Sequence, residues 1–118
     1  MFIELISGES TMTSSDTATA EPVADLHAVL SALADPVRLE MARRLQHVDS
    51  LSCSELYDTV TKATASHHFK ILREAGVLQR RAAGQSARYS LRSDDVEAAF
   101  PGLLTAVLSA ADVDRGAD

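Results

Sequence analysis

The sequence has no tryptophan, three phenylalanines, two tyrosines and a single cysteine, Cys53. With aromatics at 4% of 118 residues, a core has to be assembled from Leu, Val, Ala and Ile, and the length supplies one small domain. Apolar surface that so small a core leaves over calls for a second chain, so self-association is expected. One thiol excludes an intrachain disulfide and any cysteine-based zinc finger, and it suits a reducing compartment. The apolar start, Met1 to Ile6, is too short for a signal peptide and has no basic leader. No stretch approaches the ~18 to 20 apolar residues of a membrane span, so a cytoplasmic protein with no membrane partner is expected. There is no glycine-rich phosphate loop, no internal repeat and no spacing that pairs a nucleophile with a base, so neither an enzyme nor a cofactor is expected.

Basic residues are also in the minority, 11 Lys and Arg against 17 Asp and Glu, and a net charge of −6 argues on its face against an anionic partner. The charge is segregated, however. Residues 1 to 26 hold five acids (Glu4, Glu9, Asp16, Glu21, Asp25) and no base, while 93 to 118 hold six acids and only Arg115. From Lys62 to Arg92 there are seven bases against Glu74 alone, a local charge of +6. A block of one sign steers partners more than the total does, and this block invites an anion.

Residues 7 to 22 are rich in Ser, Thr, Ala, Gly and acids without apolar periodicity, so 1 to 22 is read as a flexible tail. The stripe Val23, Leu26, Leu30, Leu33 predicts a helix to Ala34. Asp35-Pro36 then caps and opens a second helix to about His47, burying Val37, Met41, Ala42 and Leu45. Ser52 and Glu55 have the spacing of a capping box for a short third helix to about Val60. Thr61 caps a fourth helix through Ala75, and Gly76 suits the left-handed residue that ends it. The period then becomes two, predicting strands over Val77 to Ala82 and Ser86 to Leu91 with a turn at Gly84-Gln85. Ser93 is expected to cap a last helix carrying Val96, Phe100, Leu103, Leu104, Val107 and Leu108, kinked or restarted at Pro101-Gly102. A domain over 23 to 110 with a short tail from 111 to 118 follows.

The fourth helix divides into two faces. Ala65, Phe69, Leu72 and Ala75 form an apolar stripe with His68 at its edge; Ala63, Ser66, His67, Lys70 and Arg73 form the opposite one, which has no carboxylate. Such a face offers donors to base edges and positive charge to phosphates. Arg80, Arg81 and Arg88 lie on the following hairpin, where a wing reaches the flanking backbone. Two short helices with a tight connection and a basic hairpin describe a mainly α winged helix-turn-helix, in the order α-α-α-α-β-β-α.

Three segments carry a resemblance: Leu33-Ala34-Asp35-Pro36-Val37-Arg38-Leu39, Ser66-His67-His68-Phe69-Lys70-Ile71-Leu72-Arg73-Glu74-Ala75-Gly76, and Arg88-Tyr89-Ser90-Leu91. Together they resemble successive signatures of the ArsR/SmtB family of bacterial transcriptional repressors, over roughly residues 23 to 108. The resemblance implies a homodimer through the first and last helices, here Leu26, Leu30, Phe100, Leu103, Leu104, Val107 and Leu108. It also implies an inverted-repeat operator in double-stranded DNA and an effector that releases it. Ser66, His67 and Lys70 fall on the family's DNA-contact positions, Thr64 at the helix start meets phosphate, and Lys62, Arg80, Arg81 and Arg88 neutralise phosphates. His68 matches a histidine that recurs in the family, and a structural role at the edge of the motif competes with a functional one.

The founding members of that family hold metal with a Cys-x-Cys pair at the third helix, where this chain has Ser52 and Ser54 around Cys53. A second family site needs histidine in the last helix, and none occurs from Ser93 onward. One thiol is a poor soft-metal site, so no metal is expected and the effector is left unidentified. Cys53 reads either as a small buried residue or as a redox sensor. A rival reading from another class is a winged helix that docks on another regulator through its last helix and binds no DNA.

Overall fold

The computed structural model describes residues 22–56, 60–84 and 86–116. Helix α1, Leu26–Leu33, is capped by Asp25, whose carboxylate accepts the Ala28 N–H at 2.9 Å. That cap sets the start three residues later than the apolar stripe from Val23 suggests. Asp35 then accepts the N–H groups of Val37 and Arg38 at 2.8 and 3.1 Å and starts α2, Pro36–Leu45. Burial raises the Asp35 carboxyl, but the two amides together with the nearby Arg38 and His68 outweigh it and hold the acid below its ordinary range.

The predicted capping box forms. The Ser52 N–H donates to Glu55 at 2.7 Å and the Glu55 N–H to the Ser52 hydroxyl at 3.3 Å, opening α3, Cys53–Leu56. Its expected continuation to Val60 crosses 57–59, outside the described residues. Thr61 accepts the Thr64 N–H at 3.1 Å and starts α4, Lys62–Glu74. Gly76 ends that helical turn at φ +83°. A Cβ there would lie 2.5 Å from the Val23 Cα, because the segment before α1 crosses the end of α4 and the Ala24 N–H donates to the Ala75 carbonyl.

Two strands follow, β2 over Leu78–Ala83 and β3 over Ser86–Leu91; Gln85 in the predicted turn is outside the described residues. The sequence predicted only this hairpin, but β3 also pairs antiparallel with β1, Leu51–Ser52. Two residues are too few to show a period, so β1 is a tertiary product. The Ala87 and Tyr89 side chains point inward, and Tyr89 stacks on Phe69 of α4 with ring centroids 4.3 Å apart.

The last predicted helix is two. Helix α5, Ser93–Ala99, begins with Ser93 itself; Arg92 occupies the cap position and makes no side-chain cap bond, so Ser93 is not the expected cap. The chain breaks at Pro101-Gly102, where Gly102 has φ +84° and donates its N–H to Glu97 at 2.7 Å. Helix α6, Leu103–Gly116, then runs on past 110, through most of the expected C-terminal tail.

The core joins Val29, Leu33, Met41, Leu45, Phe69, Leu72, Val77 and Val96 with Leu104 and Leu108. The last two are expected at a dimer interface; they are buried within the protomer, where α6 packs on α2 and α5. Leu103, Val107 and Phe100 are half-buried, whereas Leu26 and Leu30 stay 45% and 42% exposed. Among the described residues no helix is long and apolar enough to cross a membrane.

Candidate nucleic-acid interface

Helix α4 presents the two faces its sequence predicts. Ala65, Phe69 and Leu72 are buried, and so is His68, at 9% exposure. Lys62, Ala63, Thr64, Ser66, His67 and Lys70 are exposed. Hydrophobic burial of one stripe against α2 and the sheet thereby fixes the outward direction of the other. At the helix start the Thr61 hydroxyl donates to the Thr64 hydroxyl at 2.9 Å, which leaves the Thr64 proton directed away from Thr61. Lys70 lies 4.0 Å from Glu74, an exposed pair that costs an incoming phosphate little to break. Arg73, expected on the outward stripe, is half-buried, and its Nε has no hydrogen-bond partner.

The hairpin register divides the wing arginines. Arg80 is opposite Tyr89, on the face of the sheet that carries Leu78 and Ala87 toward the helices. Arg81 is opposite Arg88 on the other face, beside Gln79 and Ser90. Arg80 and Arg81 are exposed and make no hydrogen bond or ion pair among the described residues. Arg88 is held: its Nε donates to the Ser50 hydroxyl at 2.8 Å and its Nη2 to the Ser50 carbonyl at 3.1 Å, with Glu55 4.0 Å away. Backbone and hydroxyl bonds from Ser52, with Arg88 and Arg44 nearby, lower the Glu55 carboxyl. Arg88 therefore ties β3 to Ser50, just before β1, while Arg81 opposite it and Arg80 on the next rung make no such bond.

Arg38 carries no expected role in the sequence. Its Nε donates to the Ala32 carbonyl at 2.7 Å, and its Nη1 is 3.0 Å from Nδ1 of His68. A signal for it was present: a cation in the first turn of a helix opposes the helix dipole and so needs a partner elsewhere. Cys53 is half-buried against the core at the start of α3, and the Ser52 and Ser54 hydroxyls are 3.3 Å apart. Among the described residues no three His, Cys, Asp or Glu side chains gather as a metal set. His47, just past the end of α2, faces Asp112 of α6 at 3.2 Å.

A helix-turn-helix domain model matches residues 33–81. The uncharacterized HTH-type transcriptional regulator YceK of Bacillus subtilis is 39% identical over 79 residues, which are 64% of this chain and 79% of that protein. Reduced HlyU from Vibrio cholerae is 27% identical with a TM-score of 0.56, covering 71% of this chain and 83% of its own. The crystal structure of an ArsR family transcriptional regulator superposes with a TM-score of 0.58 over 66% of this chain and 87% of its own. At 22% identity that likeness concerns the fold alone.

Proposed function

Because the chain belongs to the helix-turn-helix transcriptional regulators and shares the fold of an ArsR family member, we propose that it is a homodimeric repressor of transcription of the ArsR/SmtB type. In this reading each protomer seats α4 in the major groove of one half of an inverted repeat, with half-sites about one turn (~34 Å) apart. An effector, unidentified and bound without the family's metal sites, releases it. The observation that carries the DNA reading is the outward face of α4, which from Lys62 to Arg73 holds no carboxylate in a chain of net charge −6. Ser66 and His67 face base edges; Lys62, Thr64, Lys70, Arg80 and Arg81 meet phosphates, and Arg88, tied to Ser50, steadies the strand paired with the two wing arginines. The exposed Leu26 and Leu30 on α1, with the half-buried Leu103 and Val107 on α6, supply the apolar surface for self-association.

The test is titration of the DNA upstream of the gene at several salt concentrations, with light scattering to read the dimer. For around six phosphate contacts, log affinity falls against log salt with a slope near −5. His67→Ala changes sequence preference, whereas Arg81→Ala weakens all sequences alike. A slope near zero, or a stable monomer that still binds the inverted repeat, refutes the reading.

A further inference from the structure

We propose that Arg38 is a positioning residue for α4 and that it holds His68 only while that imidazole is neutral. The inference rests on the DNA-binding reading and deepens it.

Three elements meet at this guanidinium. Its Nε bonds the Ala32 carbonyl, one of those the end of α1 leaves without a helical partner, and its Nη2 lies 3.4 Å from the Ser31 carbonyl, which also accepts the Ala34 N–H. Those contacts set the plane of the fork. Nη1 is then aimed at Nδ1 of His68, 3.0 Å away in the middle of α4. A guanidinium has donors only, so Nδ1 must be the acceptor. The ring is therefore neutral, with its single proton on Nε2. One cation thus ties the end of α1, the first turn of α2 and the buried side of the DNA-facing helix.

Protonation of His68 places a second donor on Nδ1, facing Nη1 across the same 3.0 Å, and the two cations repel. The neighbouring acceptor is Asp35 Oδ2 at 3.9 Å, already engaged with the amides of Val37 and Arg38 at the start of α2. Further out, His27 of α1 and Glu74 of α4 line the same cleft as Arg38, and the His67 ring is centred 6.0 Å from that of His68. Among the described residues, His68 makes no other hydrogen bond or ion pair. His67 has the opposite influence on binding: it points outward, and charging it attracts phosphate. Acid should therefore act twice on α4, drawing the exposed histidine toward DNA and unfastening the buried one from Arg38.

The experiment separates the two by working in a His67→Asn background. His68→Asn puts an amide oxygen near the position of Nδ1, where it accepts from Arg38 and does not titrate; His68→Ala removes the acceptor. Nitrogen NMR of the free protein reads the ring directly, and DNA affinity is measured at pH 8 and pH 5.5. The expected results are a lone pair on Nδ1 at pH 8 and an additional affinity loss of about tenfold at pH 5.5 when His68 is present compared with His68→Asn, the scale of one bond to a charged donor. At pH 8, His68→Asn retains affinity and His68→Ala loses it. A proton on Nδ1 at pH 8, or equal pH dependence with and without His68, overturns the proposal. Should the chain bind no DNA, the DNA reading fails and the ring's tautomer still decides whether Arg38 is the donor.

Discussion

Gly76 offers a sharp stability test because two separate costs meet there. Its φ of +83° lies in the region that side chains avoid, and a Cβ would stand 2.5 Å from the Val23 Cα and 2.7 Å from the Pro22 carbonyl oxygen. Both close atoms are backbone, so no rotamer change relieves the contact. Gly84 isolates the first cost: it has φ +68° with nothing within 4 Å of a Cβ. Gly84→Ala should then lose about 1 kcal/mol, the left-handed penalty alone. Gly76→Ala should lose that and, when residues 22–24 are displaced, the Ala24 to Ala75 hydrogen bond with the packing around it, for about 2 to 3 kcal/mol in all. In a domain of this size the melting temperature falls by roughly 10 to 20 °C for Gly76→Ala and about 5 °C for Gly84→Ala. Thermal unfolding followed by circular dichroism measures both. Equal shifts would refute the reasoning, since they would mean that the crossing of residues 22–24 over α4 adds nothing.

Two further predictions concern charge. Arg88→Ala should lower the melting temperature by about 5 °C, because it breaks two bonds to Ser50 worth about 1 kcal/mol net, while Arg81→Ala should leave it unchanged; differential scanning calorimetry distinguishes them. For Asp112, burial raises the carboxyl but the bonds from Arg43 and His47 more than reverse it, and Asp35 and Glu55 are likewise lowered. A lowered folded value contributes stability above the ordinary carboxylate range, lost as pH falls through it. Denaturant midpoints should therefore show this contribution intact from pH 7 to 5 and declining below about pH 4, less steeply in Asp112→Asn.

Much of this architecture is legible in the sequence because it is local. Asp35, Thr61 and the Ser52–Glu55 pair act within three residues of themselves, so their types and spacing suffice to place three helix starts. The faces of α4 are legible for the same reason: the 3.6-residue period sorts Phe69 from His67 without knowledge of what Phe69 touches. What was hidden depends on segments distant in sequence. Leu104 and Leu103 look alike in a stripe, and only the placement of α2 decides that the first is buried in the protomer. Register decides that Arg88 finds Ser50, 38 positions away, while Arg81 finds nothing among the described residues. The Arg38 to His68 contact spans 30 positions and belongs to neither residue's own helix.

Helix α2 holds a partner at each end. Near its start Arg38 grips α4, and near its finish Arg43 at 3.2 Å and Gln46 at 2.8 Å grip Asp112 of α6. Its ten residues form a rod about 15 Å long, with α4 fastened to one end and the C-terminal helix to the other. Pivoting such a rod by ~10° about either end carries the opposite end about 2.5 Å, nearly a hydrogen-bond length. Mechanically α2 is thus an axle between the surface proposed for pairing and the surface proposed for DNA.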